Sequence, residues 1–367
     1  MKKVFASCFC LAMLFVAPVL AQIDGSWKIL KASNKINGRS ECSLVAVDGK
    51  LYLLGGDGPI QPLEVYDSAS NYWIKKANSP VVMHHFQAVA LGSKIYVLDA
   101  FSQGDFPLQT PMPNSYSYDT KTNTWQRLAE IEPGRRRAGA GAAVHNGKLY
   151  LVCGITNGHS SGTNALFDEY DPKTNTWKKL PDAPHIRDHS MAVVIGDKLY
   201  SVGGRNTSFR DPENKLNFFS QVVLDVDCYD FKTSSWSTLK ATLPKGTGGG
   251  TAVNLNNKIY YIGGERATTT TPNHPQKDVY CFDPAKTNQW IKIADLNIPR
   301  NGVGGTVLNG KIYIAGGSGG PPPPMGGKPG MQGPPNGPPP NGPPPNGPPP
   351  NGPPPPGNID LEVFTLK

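Results

Sequence analysis

The sequence is short of charged residues and of long apolar runs. Asp, Glu, Lys and Arg make up 17% of its 367 residues, and apolar types make up 38%. After residue 21 no stretch reaches the roughly 18–20 apolar residues that a membrane helix needs, which excludes a membrane span. Gly and Pro, with 41 and 37 copies, take up the difference. Because both disrupt helices, a helical bundle is excluded, while 14 Tyr, 13 Phe and 6 Trp can still bury a core.

Sequence motifs for catalysis and for cofactor binding are also scarce. No Gly-x-Ser-x-Gly nucleophile motif occurs, and Gly246–Gly250 lacks the Lys-Ser/Thr of a phosphate-binding loop. No spaced Cys, His and carboxylate motif predicts a metal site. The net charge is +8, but acidic residues are interspersed with the basic ones along the sequence. This distribution is not typical of a nucleic-acid-binding protein. We therefore expect no cofactor, no metal and no nucleic-acid partner.

The amino terminus has the pattern of an export signal. Lys2 and Lys3 precede an apolar run from 4 to 16, and the short side chains of Val19 and Ala21 fit a cleavage site before Gln22. Residues 1–21 are predicted to be a signal peptide, and the mature chain is predicted to be secreted or periplasmic.

Six cysteines are too few for a dense disulfide framework. Cys8 and Cys10 fall in the predicted signal peptide. The remaining four allow three pairings, which the sequence does not decide, and buried free thiols are the favoured interpretation. These four are Cys42, Cys153, Cys228 and Cys281.

A repeat runs through the whole chain. Each copy has an apolar segment that carries a Tyr and usually ends in a Gly pair. The copies are GKLYLLGG at 49–56, SKIYVLDA at 93–100, GKLYLVCG at 147–154, DKLYSVGG at 197–204, NKIYYIGG at 257–264 and GKIYIAGG at 310–317. A Tyr-Asp or Phe-Asp pair follows in the first five copies, and a Trp comes seven or eight residues after that aromatic residue. Each copy therefore predicts four short strands, with small residues in the first.

This pattern resembles the kelch repeat, and the resemblance implies an all-β fold. We expect a six-bladed kelch-type β-propeller of four-stranded blades that occupies residues 22–367. The last copy ends before any Trp strand, whereas Trp27 near the amino terminus has no Tyr-Asp strand before it. The amino-terminal strand is therefore predicted to join the last blade beside Leu361–Phe364, which would close the ring.

One segment departs from the repeat. Residues 319–357 contain 20 Pro and 11 Gly, so they offer almost no apolar surface for burial. A disordered Pro/Gly-rich insertion within the sixth blade is predicted. It is either a solvated spacer or a docking site for a partner.

Candidate ligand-binding residues come from equivalent positions in the repeat. The residue thirteen before each Tyr is Arg in four of the six copies, and the residue after the Gly pair is expected to face the same mouth of a central channel. Guanidinium groups that converge there would bind carboxylate, sulfate or phosphate. The predicted ligand-binding set is Arg39, His85, Arg137, Arg187, His189, Arg205, Arg266 and Arg300. Kelch proteins that bind acidic peptides use arginines at the positions of Arg205 and Arg300, so the resemblance implies the same role for these two.

The leading interpretation is an exported, monomeric interaction module. It would bind an anionic glycan or an acidic protein segment in this cationic mouth. The alternative is a carbohydrate-active enzyme, because exported bacterial kelch propellers similar in size include sialic acid mutarotases. Catalytic residues are not determined by the sequence, and Glu265, Asp99 and His84 are the weak candidates for moving a proton.

Overall fold

The structure, a computed structural model, describes residues 25–210, 217–319 and 360–366. The regular elements of these residues are strands, apart from two single 3-10 turns at Pro133–Arg135 and Phe218–Ser220. Among them no helix has the length and apolar character to cross a membrane. The predicted signal peptide lies outside the described residues, and so does the predicted insertion except for Gly319.

Four antiparallel sheets of four strands follow one another along the chain. The first contains β2 (Cys42–Val47), β3 (Lys50–Gly55), β4 (Pro62–Asp67) and β5 (Tyr72–Asn78). The second contains β6 (Val89–Leu91), β7 (Lys94–Val97), β10 (Asn114–Asp119) and β11 (Thr124–Glu130). A two-stranded ribbon of β8 (Phe101–Gln103) and β9 (Thr110–Pro111) lies between β7 and β10 in the sequence. The third contains β12 (Gly141–His145), β13 (Lys148–Asn157), β14 (Ser161–Asp171) and β15 (Thr176–Leu180). The fourth contains β16 (Met191–Ile195), β17 (Lys198–Val202), β18 (Asp227–Asp230) and β19 (Ser235–Thr238).

The last two repeats share one eight-stranded sheet. Its strands are β20 (Thr251–Leu255), β21 (Lys258–Ile262), β22 (Glu265–Arg266), β23 (His274–Phe282), β24 (Ile291–Leu308), β25 (Lys311–Ser318), β26 (Leu361–Leu366) and β1 (Gly25–Leu30). The long strand β24 pairs with β23 through its first part and with β25 through its second. The amino-terminal strand β1 pairs with β26, so that Trp27 lies opposite Phe364 with the two ring centres 5.3 Å apart.

The turn between the third and fourth strands of a blade explains its recurring Asn. The hydroxyl of Tyr66 donates to Asn71 Oδ1 at 2.7 Å, and Asn71 adopts the left-handed φ of 54° that Asn tolerates well. The second and third sheets repeat this contact with Tyr118–Asn123 at 2.8 Å and Tyr170–Asn175 at 2.6 Å. The all-β propeller fold with four-stranded blades is thus confirmed, down to its turns.

Apolar clusters fill the space between consecutive sheets. Tyr52 of the first sheet and Tyr118 of the second belong to one of them, and Tyr200 and Tyr261 belong to another. A further cluster joins the first sheet to β25 and β26. Close packing also explains the Gly pairs, because a Cβ on Gly203 would lie 2.2 Å from the hydroxyl of Tyr261.

The four cysteines of the described residues are buried and free, as the sequence interpretation favours. They are Cys42, Cys153, Cys228 and Cys281.

Candidate functional site

A channel runs between the first strands of the sheets, and one of its ends is ringed by a repeated backbone conformation. The residue eleven before each repeat Tyr has a left-handed φ between 53° and 64°. These six residues define the channel mouth; they are Glu41, His85, Gly139, His189, Gly249 and Gly302. Backbone hydrogen bonds link neighbours around this ring, as from His85 N to Glu41 O at 3.0 Å and from Gly302 N to Gly249 O at 2.7 Å. The cavity just inside the mouth has a volume of about 60 Å³.

Three of the ring positions are glycine and three carry side chains. A Cβ on Gly302 would lie 2.4 Å from Glu41 Oε1, which shows how closely the segments approach one another. The side chains that the ring contributes are therefore those of Glu41, His85 and His189. An acid and two imidazoles are thus the groups that the innermost ring can offer to a ligand.

Four of the seven histidines of the chain gather at this mouth. His84 Nδ1 lies 2.6 Å from His85 Nδ1 and 2.9 Å from Asp57 Oδ1. His159 comes from the hairpin between β13 and β14, and its Nε2 lies 3.1 Å from His189 Nε2. The ring of His85 lies 4.9 Å from the rings of both His159 and His189. All four side chains are buried.

Burial controls the protonation of this cluster. It holds the pKa of His85 well below the usual value, and the adjacent imidazoles add to the effect. The pKa of His159 is lowered well below its usual value by burial and then by His189, and the pKa of His189 is lowered by burial and then by Arg205. These rings are therefore neutral near pH 7 and present lone pairs. Burial, with Asp57 next, also raises the pKa of Glu41 well above its usual value.

Two of the imidazoles are held in position by acceptors behind them. His189 Nδ1 lies 2.5 Å from Asp188 Oδ1, and His159 Nδ1 lies 3.0 Å from Gln109 Oε1. Burial opposes the ionisation of Asp188, but the hydrogen bond from His189 keeps the pKa of that carboxyl below its usual value. The hydroxyls of Thr163 and Thr207 donate to the same carboxylate.

Arg205 forms the cationic side of the mouth. Its guanidinium lies 4.6 Å from the centre of the Phe219 ring and 5.2 Å from that of Phe218. It also pairs with Glu265 at 2.5 Å, and Asn273 and Asn301 donate to the other oxygen of that carboxylate. Arg205 is itself only 2% exposed, so a planar anionic group can bind to this guanidinium only where it displaces Glu265 or one of the rings.

The structure places four of the predicted arginines elsewhere. Each guanidinium is at most 1% exposed and pairs with a carboxylate on the third strand of its own blade. The pairs are Arg39–Glu64 at 2.5 Å, Arg137–Asp168 at 2.8 Å, Arg187–Asp227 at 2.6 Å and Arg300–Glu362 at 2.8 Å. Backbone carbonyls take further donors, for example Cys153 O from Arg137. Ligand binding by these four stays a prediction, and their enclosed contacts do not favour it.

The remaining candidates divide between the mouth and the blades. His85, His189 and Arg205 meet at the mouth, together with His84 and Glu265. Asp99 is fully buried and accepts the amide of Ala140 at 3.0 Å, so it is enclosed rather than facing a ligand. Arg266 follows Glu265 on β22, and because side chains alternate along a strand, it projects to the opposite face.

Sequence reasoning missed several residues of this site, among them Glu41, His159, Gln109 and Asp188. Glu41 could have been found, because it is the acidic member of the ring position eleven before each repeat Tyr. His159 and Gln109 lie in excursions outside the repeat and carried no positional signal. Within the described residues, the ligand atoms of His85, His159 and His189 lie within 4.8 Å of one another, and those of Asp57, His84 and His85 do the same.

Comparison with known proteins gives a consistent family. A family profile described as the Attractin/LZTR1 beta-propeller matches residues 21–264 and 115–321. Kelch-like protein terF of Aspergillus terreus is 27% identical over 311 residues, which are 80% of this chain and 65% of that protein. Kelch-like protein 25 of Xenopus tropicalis is 29% identical over 252 residues, which are 66% of this chain and 38% of that protein. The chain thus spans less than two thirds of the length of these two relatives.

A solved structure supports the fold. The structure of YjhT superposes with a TM-score of 0.66 and 18% identity, and the match covers 78% of this chain and 93% of that one. At this identity the likeness concerns the fold alone. The repeat, the four-stranded sheets and the matched profile together show that the chain is a kelch-type propeller and belongs to the Attractin/LZTR1 beta-propeller family.

Proposed function

We propose that this protein is an exported, six-bladed propeller that works as an interaction module. Its ligand would be an acidic protein segment or an anionic glycan, bound at the channel mouth. The observation that carries the proposal is the position of Arg205 beside Phe218, Phe219 and the histidines of the mouth. Export rests on the amino-terminal sequence pattern.

Three features support six blades and a closed ring. The channel is lined by residues of the six innermost strands, β2, β6, β12, β16, β20 and β24. Apolar clusters join each repeat to the next, and one of them joins the first sheet to β25 and β26. The pairing of β1 with β26 supplies the fourth strand of the last blade, which leaves no unpaired edge between the chain ends.

The chemistry at Arg205 favours an anion over other ligands. The guanidinium is already stacked on two rings, so it is oriented before a ligand arrives. A carboxylate that replaces Glu265 would accept the same donors, whereas a neutral sugar would leave the guanidinium without its partner. Because the ligand would take the place of the Glu265 carboxylate, we infer that the ligand is an anion.

The test is a binding screen with the mature chain, residues 22–367, on arrays of acidic peptides and anionic glycans. Arg205→Ala is expected to weaken the best ligand at least about tenfold, which corresponds to about 1.4 kcal/mol. Arg210→Ala is the matched control, because this neighbouring arginine is exposed and donates to backbone carbonyls. Absence of any array ligand, or equal binding by the Arg205 variant, would overturn the proposal.

Anomer interconversion of N-acetylneuraminate, followed by NMR, separates binding from catalysis. The proposal expects no acceleration. Glu265 is the counter-ion of Arg205 and also accepts from Asn273 and Asn301, so before a ligand binds, its oxygens are occupied by these donors rather than free to take a proton from a sugar. If the protein accelerates this interconversion and Glu265→Gln abolishes the acceleration, then the protein is an enzyme and the binding-module proposal is wrong.

A further inference from the structure

The histidines at the mouth carry an inference that does not depend on the proposed ligand. His159 Nε2 and His189 Nε2 face each other at 3.1 Å between residues that are 5% and 6% exposed. Two nitrogens at this distance need either a proton or a cation between them. Which of the two is present depends on where the other ring nitrogens hold their protons.

The opposite nitrogen of each ring already faces an acceptor. Asp188 accepts at His189 Nδ1, and the Asp188 carboxylate accepts further donors from Thr207. Gln109 Oε1 accepts at His159 Nδ1. If both Nδ1 atoms donate, then both Nε2 atoms of neutral rings are bare lone pairs, which repel each other unless a cation lies between them.

The geometry around these lone pairs matches a metal site. Imidazole nitrogens that share a tetrahedral zinc ion lie about 3.3 Å apart, since each is about 2.0–2.1 Å from the metal. His85 supplies a third ring, and the three ligand atoms lie within 4.8 Å of one another. Acceptors behind metal-bound histidines, such as a carboxylate or an amide oxygen, fix the tautomer that exposes the ligand nitrogen.

An apolar wall surrounds the same rings. The Phe101 ring lies 5.6 Å from His85 and 5.7 Å from His159, and the Phe106 ring lies 5.1 Å from His159. These rings limit the access of water and strengthen the attraction between a bound cation and the imidazole lone pairs, which offsets part of the cost of desolvating the ion.

We propose that His85, His159 and His189 form a binding site for a divalent transition metal of the zinc class. Imidazole nitrogens suit Zn²⁺ better than Mg²⁺ or Ca²⁺, which prefer oxygen ligands. Three protein ligands leave a fourth coordination position, which water or a ligand carboxylate can fill. Asp188 acts as the positioning residue for His189.

The test uses metal-free mature chain titrated with Co²⁺ and followed by visible absorption, with Zn²⁺ in competition and by calorimetry. Wild type is expected to bind one ion per chain with the intense absorption of a tetrahedral site. His159→Ala and His189→Ala are expected to lower Zn²⁺ affinity at least about 100-fold, and Asp188→Asn about 10–100-fold. Bound Zn²⁺ should raise the unfolding temperature of wild type and not of the histidine variants.

Two control variants assign the site. His274→Ala removes an exposed histidine on β23 and is expected to leave the affinity unchanged. His84→Ala distinguishes the two groups of candidate ligands: His84 contacts His85 but is not one of the three proposed ligands, so its loss is expected to lower the affinity less than His159→Ala does. An affinity that falls with His84→Ala and not with His159→Ala overturns the assignment. If the histidine variants do not fold, the wild-type titration decides alone: no stoichiometric binding, or the weak absorption of an octahedral ion, overturns the site.

Discussion

Arg187 and Asp227 form an ion pair at 2.6 Å in which both side chains are completely buried. The same guanidinium donates to the carbonyls of Gly203 and Asp225. The pair therefore ties the residues before β16 to β18, across the blade. Three other blades repeat it, and so it belongs to the architecture of the propeller.

Removing the cation of this pair is expected to destabilise the protein strongly. Arg187→Met removes the guanidinium from the buried Asp227 carboxylate, which keeps its contacts with His185 and Thr238, and loss of one partner of a buried ion pair costs about 3–5 kcal/mol. Chemical denaturation with urea, followed by tryptophan fluorescence, measures the change in the free energy of unfolding.

A surface pair provides the matched control for Arg187. Lys179 and Glu132 lie 2.6 Å apart but are 60% and 56% exposed, so Lys179→Met is expected to leave stability almost unchanged. Equal effects of the two substitutions would mean that burial of the Arg187 pair has no energetic consequence.

Asp99 is expected to make stability depend on pH. Burial raises the pKa of this carboxyl to about 7, and its Oδ1 has no hydrogen-bond partner among the described residues. Since the unfolded value is about 3.9, the folded chain binds the proton more tightly, and stability is lost as pH rises from about 4 to about 7. Arg137 is the nearby charge that limits the shift.

The substitution that tests this is Asp99→Asn. It should stabilise the protein at pH 8, by up to about 4 kcal/mol, and give no gain at pH 4. Unfolding midpoints of the two proteins across that range give the comparison, with Asp105→Asn at an exposed position as the control. A gain that is independent of pH contradicts the buried-acid explanation.

The four free cysteines are expected to be unreactive in the folded protein. Burial raises the pKa of Cys42, Cys153, Cys228 and Cys281 to about 11 in each case, so the thiolate is scarce at pH 8. A colorimetric disulfide reagent should titrate four thiols in the mature chain after unfolding and react at least about 100-fold more slowly before it. Rapid reaction of one thiol in the native state would identify an accessible site.

The Pro/Gly-rich segment is expected to be dispensable for the propeller. β25 and β26 are antiparallel neighbours, with Ile314 opposite Glu362, so a short Gly-Ser turn can connect them in place of 320–357. The replacement should preserve the unfolding midpoint, Zn²⁺ binding and array binding. Loss of array binding alone, with the other two unchanged, would move the interaction site to this segment.

The repeat made the blades predictable from sequence. The strand with Tyr and a Gly pair shows alternating apolar residues followed by turn residues. Both patterns can be recognised within a short stretch of a single sequence. The eight-stranded sheet was not predicted, because continuation of β24 from one blade into the next depends on backbone geometry between residues 291 and 308 rather than on residue type.

Spacing located the arginines of the blades but not the direction of their side chains. Their partners had a signal, since the residue two before the third-strand aromatic is Glu64, Asp168, Asp227 and Glu362 in the four repeats with Arg, and Tyr116 and Tyr280 in the other two. An acid that occurs only where the arginine occurs indicates a buried pair. Considered together, the arginine position and the acid position predict four buried ion pairs, which leaves the histidines as the candidates for ligand binding.

The histidine cluster could be predicted only in part. His85 and His189 occupy the same ring position, which the repeat reveals. His159 reaches them from a hairpin of the third blade and Gln109 from a loop of the second, and contacts between excursions of different blades depend on how the sheets pack against one another rather than on sequence spacing.

The pairing of β1 with β26 has a consequence for biosynthesis. Strand β1 has its hydrogen-bonding partner far later in the sequence, so its sheet cannot be completed until β26 has been synthesised. Earlier blades can form during elongation, but Phe364 acquires its cover from Trp27 after them. Nascent chains truncated before β26 should therefore be good substrates for chaperones and proteases.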